Sequence, residues 1–126
     1  MSASQRTKGA RGENELCRLL SDELGQVVRR TLDQSRAGGA DCLEVPGYAI
    51  ECKRQERLCK PAWWRQAVRQ GLACQREPIV FYRQSRKDWR ALIGADGGFK
   101  DVSWTDAMDV IRDKLARLYG VYGSEA

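Results

Sequence analysis

The chain has 126 residues, 42% hydrophobic and 31% charged, which suits a single domain able to bury its own core. No apolar run approaches the roughly 18 residues that cross a bilayer, and the first residues lack the apolar stretch of a signal peptide, so a cytoplasmic protein with no membrane partner is expected. The absence of histidine excludes Ser-His-Asp and Cys-His catalysis within the chain, and the net charge of +5 favours a polyanionic partner over a cationic one.

Residues 1–9 are small, polar and basic and are expected to form a flexible N-terminal arm, with 10–126 as a single domain. Residues 10–24 read as a helix whose apolar face is Leu16, Leu19, Leu20 and Leu24, with Glu13 and Glu15 in its first turns and Gly25 at its end. Gln26 to Leu32 reads as a strand, and Asp33 to Gly39 as a polar loop. Ala40 to Glu44 and Tyr48 to Arg54 read as two short strands joined around Val45-Pro46-Gly47. Pro61 suits the first turn of a helix running to about Arg76. Pro78 opens a strand through Tyr82, Asp88 to Ile93 forms another, and Asp96-Gly97-Gly98 is a turn. Ser103 with Asp106 resembles a capping box. The last helix then runs to about Tyr119, with Val110, Ile111, Leu115 and Leu118 facing inward and Gly120 as its stop. The order is αβββαββα, a mixed α/β fold with a sheet flanked by helices.

Four residues carry the chemistry: Glu13, Asp41, Glu51 and Lys53. Residues two apart in a strand share a face, so Glu51 and Lys53 point one way, and Ile50 and Cys52 the other. A three-residue loop at 45–47 pairs Glu44 with Tyr48 and sets Asp41 opposite Glu51, with Cβ atoms roughly 4.5–5.5 Å apart. A two-residue loop puts the two carboxylates on opposite faces. Paired in this way they suit a hard divalent cation, Mg²⁺ with Mn²⁺ as a substitute, and Glu13 completes or positions its shell. Lys53 then neutralises charge on a scissile phosphate or positions the attacking water. The same pattern also fits a cross-strand salt bridge from Lys53 to Asp41 or Glu44 on a solvated face. The five cysteines, at 17, 42, 52, 59 and 74, contain no Cys-x-x-Cys pair and suit neither a zinc site nor a complete disulfide framework.

The run Lys8-Gly9-Ala10-Arg11-Gly12-Glu13-Asn14-Glu15-Leu16-Cys17-Arg18-Leu19-Leu20, followed by Val27-Val28-Arg29, resembles the opening of the archaeal-type Holliday junction resolvases of the PD-(D/E)XK nuclease superfamily. Asp41, Glu51 and Lys53 fall where the core motif of that family falls. The resemblance covers about residues 6–54. It implies a restriction-endonuclease-like fold, Mg²⁺ dependence, a homodimer, and paired nicks at four-way DNA junctions in DNA recombination. It makes Glu13 the helix-borne acid, Asp41 and Glu51 metal ligands, and Lys53 the catalytic lysine. Ala40 stands where the family's proline would stand, and there is no close match beyond Arg54.

Residues 60–90 hold eight Lys/Arg against two Asp/Glu, interleaved with Trp63, Trp64, Tyr82 and Trp89. This pattern fits a nucleic-acid surface, and equally a solvated basic face. Arg11, Arg29 and Arg30 flank the expected site and are candidates for phosphate contact. Ser35 and Arg36 lie in the loop before the metal strand and are candidates for DNA contact. Gln66 resembles the helix glutamine that follows the core motif in many superfamily members, where it would orient a metal-bound water or touch the DNA backbone; an ordinary exposed helix glutamine fits the position better. One of Trp63 and Trp64 is expected in the core. A structure-selective endonuclease is the leading reading. The alternatives are a restriction-like, repair or phage-processing nuclease on other DNA forms, and a non-catalytic basic DNA-binding domain.

Overall fold

The computed structural model describes residues 3–29 and 45–120, the first eight of these as backbone. Among them the order is α1 (Ala3–Leu24), β1 (Tyr48–Arg54), α2 (Lys60–Cys74), β2 (Glu77–Arg83), β3 (Arg90–Ala95), β4 (Gly98–Ser103) and α3 (Trp104–Tyr119). The strands form one mixed sheet in the order β1-β2-β3-β4. β1 and β2 are parallel, joined by the α2 crossover as a β-α-β unit, and β3 and β4 continue antiparallel. This is the mixed α/β sheet with flanking helices that the sequence predicts.

Side-chain alternation divides the sheet into two faces with different partners. Tyr48 and Ile50 of β1, Ile79 and Phe81 of β2, and Ala91 and Ile93 of β3 form one buried face. It is covered by Leu16 and Leu20 of α1 and by Ala107, Met108 and Ile111 of α3. Val80, Tyr82 and Leu92 point to the other face, where Trp63 and Ala67 of α2 close over them. Glu51 and Lys53 lie on this second face, because they alternate with Ile50 and Cys52. Register places Glu51 beside Val80 and Lys53 beside Tyr82 on the neighbouring strand.

Several elements depart from the sequence reading. α1 begins at Ala3, so Glu13 and Glu15 sit in its middle rather than in its first turns, and the dipole argument for them lapses. The expected strand from Gln26 is not a strand over 26–29. The rest of that strand and the strand expected at 40–44 lie outside the described residues. β4 is an addition that periodicity misses: Gly-Phe-Lys-Asp-Val-Ser has only two apolar residues, on opposite faces of an edge strand. Leu118 is 52% exposed rather than buried. Ala107 and Met108 take the inward positions instead, beside Ile111. At the start of α3, Ser103 caps the helix by accepting from the Asp106 amide at 3.1 Å, as its spacing predicts.

A turn precedes β1, at the Val45-Pro46-Gly47 stretch that the sequence marks. The Tyr48 amide donates to the Val45 carbonyl at 3.3 Å, and Gly47 has φ +83°. Proline followed by a residue at positive φ fits a type II β-turn with Pro46 and Gly47 at its centre. The strand expected at 40–44 lies outside the described residues, and the register of Asp41 against Glu51 lies outside them too.

Candidate active site

β1 presents Glu51 and Lys53 toward the side of the sheet that carries α2. The Lys53 ammonium donates to Gln66 Oε1 of α2 at 3.0 Å, which holds the lysine across the gap between strand and helix. Glu51 is 7% exposed, the buried charged residue among those described, and its Oε2 has no hydrogen-bond partner among the described residues. Its carboxyl is pushed up to about 7, chiefly by burial, with Lys53 opposing the rise and the Glu13 charge adding to it. Two of the residues singled out in the sequence, Glu13 and Lys53, thus act electrostatically on a third, Glu51.

Glu13 reaches this position because α1 approaches β1 closely. A Cβ added at Gly12 would lie 2.7 Å from Cβ of Arg54, one residue past Lys53. Only a glycine lets the helix come so near at that point. Arg54 in turn donates to the Arg83 carbonyl at 3.4 Å, and Glu56 accepts from the Ser85 amide and hydroxyl. These bonds fix the end of β1 against the β2–β3 turn.

The donor set favours a hard cation. The Glu51 carboxylate is buried and the charge of Glu13 acts on it, so a cation beside it would offset both the burial and the repulsion. Among the described residues, no group of three or more His, Cys, Asp or Glu is placed to hold a metal. Asp41, Arg30, Ser35 and Arg36 lie outside the described residues. Arg11 on α1 and Arg29 after it are exposed. Gln66, a candidate for contact with DNA or a metal-bound water, accepts from Lys53.

A second polar cluster, which sequence spacing does not reveal, stands beside the first. Asp101 of β4 accepts from Tyr82, lies 2.6 Å from the Lys60 ammonium, and 2.7 Å from Nε of Arg90. Asp101 is held below the usual carboxylate range by these three donors, against the opposing effect of its partial burial. Tyr82 stands next to Lys53 across the β1–β2 pair, so this cluster adjoins the candidate site. Its members are spread over residues 60 to 101, and no short motif announces them. Likewise Glu15 accepts from Trp89 Nε1 at 2.7 Å and from Arg83 at 3.0 Å, which ties α1 to the β2–β3 turn.

The family described as "Phage putative PDDEXK endonuclease" matches residues 4–115 of the 126. The chain belongs to this family. Membership makes the protein a hydrolase of the nuclease class, and PDDEXK nucleases generally use divalent metal ions. Among solved structures the chain is similar to Archaeoglobus fulgidus Hjc, a Holliday junction resolvase from an archaeal hyperthermophile. The identity is 19%, the match covers 80% of this chain and 98% of that one, and the TM-score is 0.55. At that identity the likeness shows the fold. No curated protein matches the chain. No described helix is long and apolar enough to cross a membrane.

Proposed function

We propose that this PDDEXK-family protein is a metal-dependent endodeoxyribonuclease selective for branched DNA, four-way junctions foremost, and that it works as a homodimer formed by residues 10–126 as one domain. The observation that carries the catalytic half is the buried Glu51 carboxylate beside Lys53, with Glu13 acting on it from α1. In this reading Glu13, Asp41 and Glu51 hold Mg²⁺, with Mn²⁺ able to replace it. The bound cation supplies Lewis acidity and makes a water at its surface more acidic. Lys53 stabilises charge that develops on the phosphate in attack, and Gln66 keeps its ammonium aimed at that place. Arg11, Arg29, Arg30, Ser35 and Arg36 contact the DNA backbone near the cut. Junction selectivity draws on the likeness to Hjc, and the homodimer on symmetry, since two symmetric nicks suit a two-fold pair of sites.

The phage label of the family favours a second reading, a processing nuclease acting on other DNA forms. A panel of labelled four-way junction, flap, nicked and linear duplex DNA separates the two. Under the first reading, symmetric cuts appear on the junction with Mg²⁺ and none after Glu51→Ala. Cutting of linear duplex at the same rate discards junction selectivity. Equal cutting by the Glu51→Ala protein discards the site.

A further inference from the structure

The eight lysines and arginines of residues 60–90 divide into two sets once folded. Four are engaged within the fold. Lys60 and Arg90 hold Asp101, Arg83 holds Glu15, and Arg76 donates to the carbonyls of Val45 and Tyr48 at 3.4 Å each. The other four, Arg65, Arg69, Arg86 and Lys87, are exposed, and their side chains have no partner among the described residues. A cation already neutralised by an internal acid adds little to the binding of an outside anion. Sequence charge alone therefore overstates the basic surface, and the free cations locate it.

Arg65 and Arg69 are set apart by their position on α2. The helix turns Trp63, Ala67 and Gly71 inward. On one flank, Trp64 packs on Phe99 of β4 with ring centroids 5.8 Å apart. On the opposite flank, Gln66 reaches β1 and holds Lys53. Residues three and four apart are surface neighbours on a helix, so Arg69 lies beside Gln66 on the Lys53 flank. Arg65 precedes Arg69 by about one turn, roughly 6 Å along the axis. No acidic residue occurs in α2 between Lys60 and Cys74. On the opposite face of the sheet, α3 exposes Asp106, Asp109 and Asp113. The unneutralised positive charge of α2 thus lies on the same side as the candidate catalytic residues.

We infer that Arg65 and Arg69 form a phosphate-binding strip, along which the DNA strand runs as it passes Lys53. The strip rests on the nuclease reading given above, and adds to it the path of the bound strand. Each arginine offers charge-assisted donors to successive backbone phosphates, and each phosphate neutralised releases counterions.

The test is fluorescence anisotropy of a labelled DNA duplex and a labelled four-way junction, over about 50 to 200 mM salt, in chelator so that no metal-dependent cutting intervenes. Removing two phosphate contacts with Arg65→Ala/Arg69→Ala should lower the slope of log K against log salt by nearly 2. Arg65→Lys/Arg69→Lys should keep most of the slope, since charge is retained. Lys100→Ala/Arg117→Ala removes the same formal charge on the opposite face, where Arg117 pairs with Asp113, and should leave the slope as it was. Circular dichroism and a melting curve confirm that each variant is folded. An unchanged slope in the Arg65/Arg69 alanine pair, from a parent that binds and cuts DNA, overturns the strip alone. An equal fall in both alanine pairs overturns it too, because net charge rather than place would then govern binding. A parent that neither binds nor cuts DNA overturns both the strip and the nuclease reading.

Discussion

Glu51→Gln tests the electrostatics of the site without reference to any substrate. Glu51 is buried, and its carboxyl is raised from 4.5 to about 7, by burial first. The folded protein therefore holds a proton on Glu51 that the unfolded chain releases between those two values. Where the native state binds more protons, stability falls as pH rises. The contribution is fully present below the unfolded value of 4.5 and is lost as pH climbs through about 7. Each pH unit separating the two values is worth about 1.4 kcal/mol, so the whole effect is on the order of 3 kcal/mol, and about 2–2.5 kcal/mol of it falls between pH 5 and pH 8. Glutamine has nearly the same shape and no charge to bury. Urea unfolding of both proteins in chelator at pH 5, 6, 7 and 8 gives the difference, in which every other titrating group largely cancels. The Glu51→Gln protein should gain on the parent by that amount across the window. Saturating Mg²⁺ should then stabilise the parent at pH 8 and leave the variant unmoved. A difference that stays flat with pH would refute the claim that Glu51 is buried and raised.

Three further outcomes follow from particular contacts. Gln66→Ala removes the 3.0 Å bond to Lys53. Single-turnover cleavage should slow about ten-fold, an effect of about 1.4 kcal/mol, while DNA affinity changes little. Gly12→Ala forces a Cβ to within 2.7 Å of Arg54 Cβ, so α1 must shift from β1. Thermal melting should show a loss of about 1–3 kcal/mol, and a metal titration should show weaker binding as Glu13 moves with the helix. Asp101→Asn weakens the tie between Tyr82, Lys60 and Arg90. Because Asp101 is held below the usual carboxylate range, the parent's advantage in urea unfolding should be present at neutral pH and shrink as pH falls through that range.

Much of the fold is legible in the sequence where period and punctuation agree. Tyr48–Arg54 is a strand over the limits predicted, Lys60–Cys74 begins beside Pro61 as expected, and Gly120 stops α3. Legibility fails where tertiary contact replaces pattern. β4 has too few apolar residues to alternate, yet it pairs with β3 along its whole length. Ala107 and Met108 displace Leu118 from the core because the inward face of α3 is set by where the helix meets the sheet, not by its most hydrophobic residues. Of the candidate site, the face shared by Glu51 and Lys53 follows from period two alone. The reach of Glu13 depends on Gly12, whose meaning appears only when Arg54 lies against it. The bond from Gln66 to Lys53 spans thirteen positions and two elements, and no local spacing encodes it. The basic run of 60–90 is plain in the sequence, but the internal use of half its cations is not.

A crystal structure soaked in Mn²⁺, with anomalous data at the manganese edge, tests the central claim most directly. One strong peak is expected about 2.0–2.2 Å from a Glu51 carboxylate oxygen, shared with Asp41 and held from the α1 side by Glu13. A peak away from Glu51, or none in crystals of protein that cuts DNA with Mn²⁺, would contradict it.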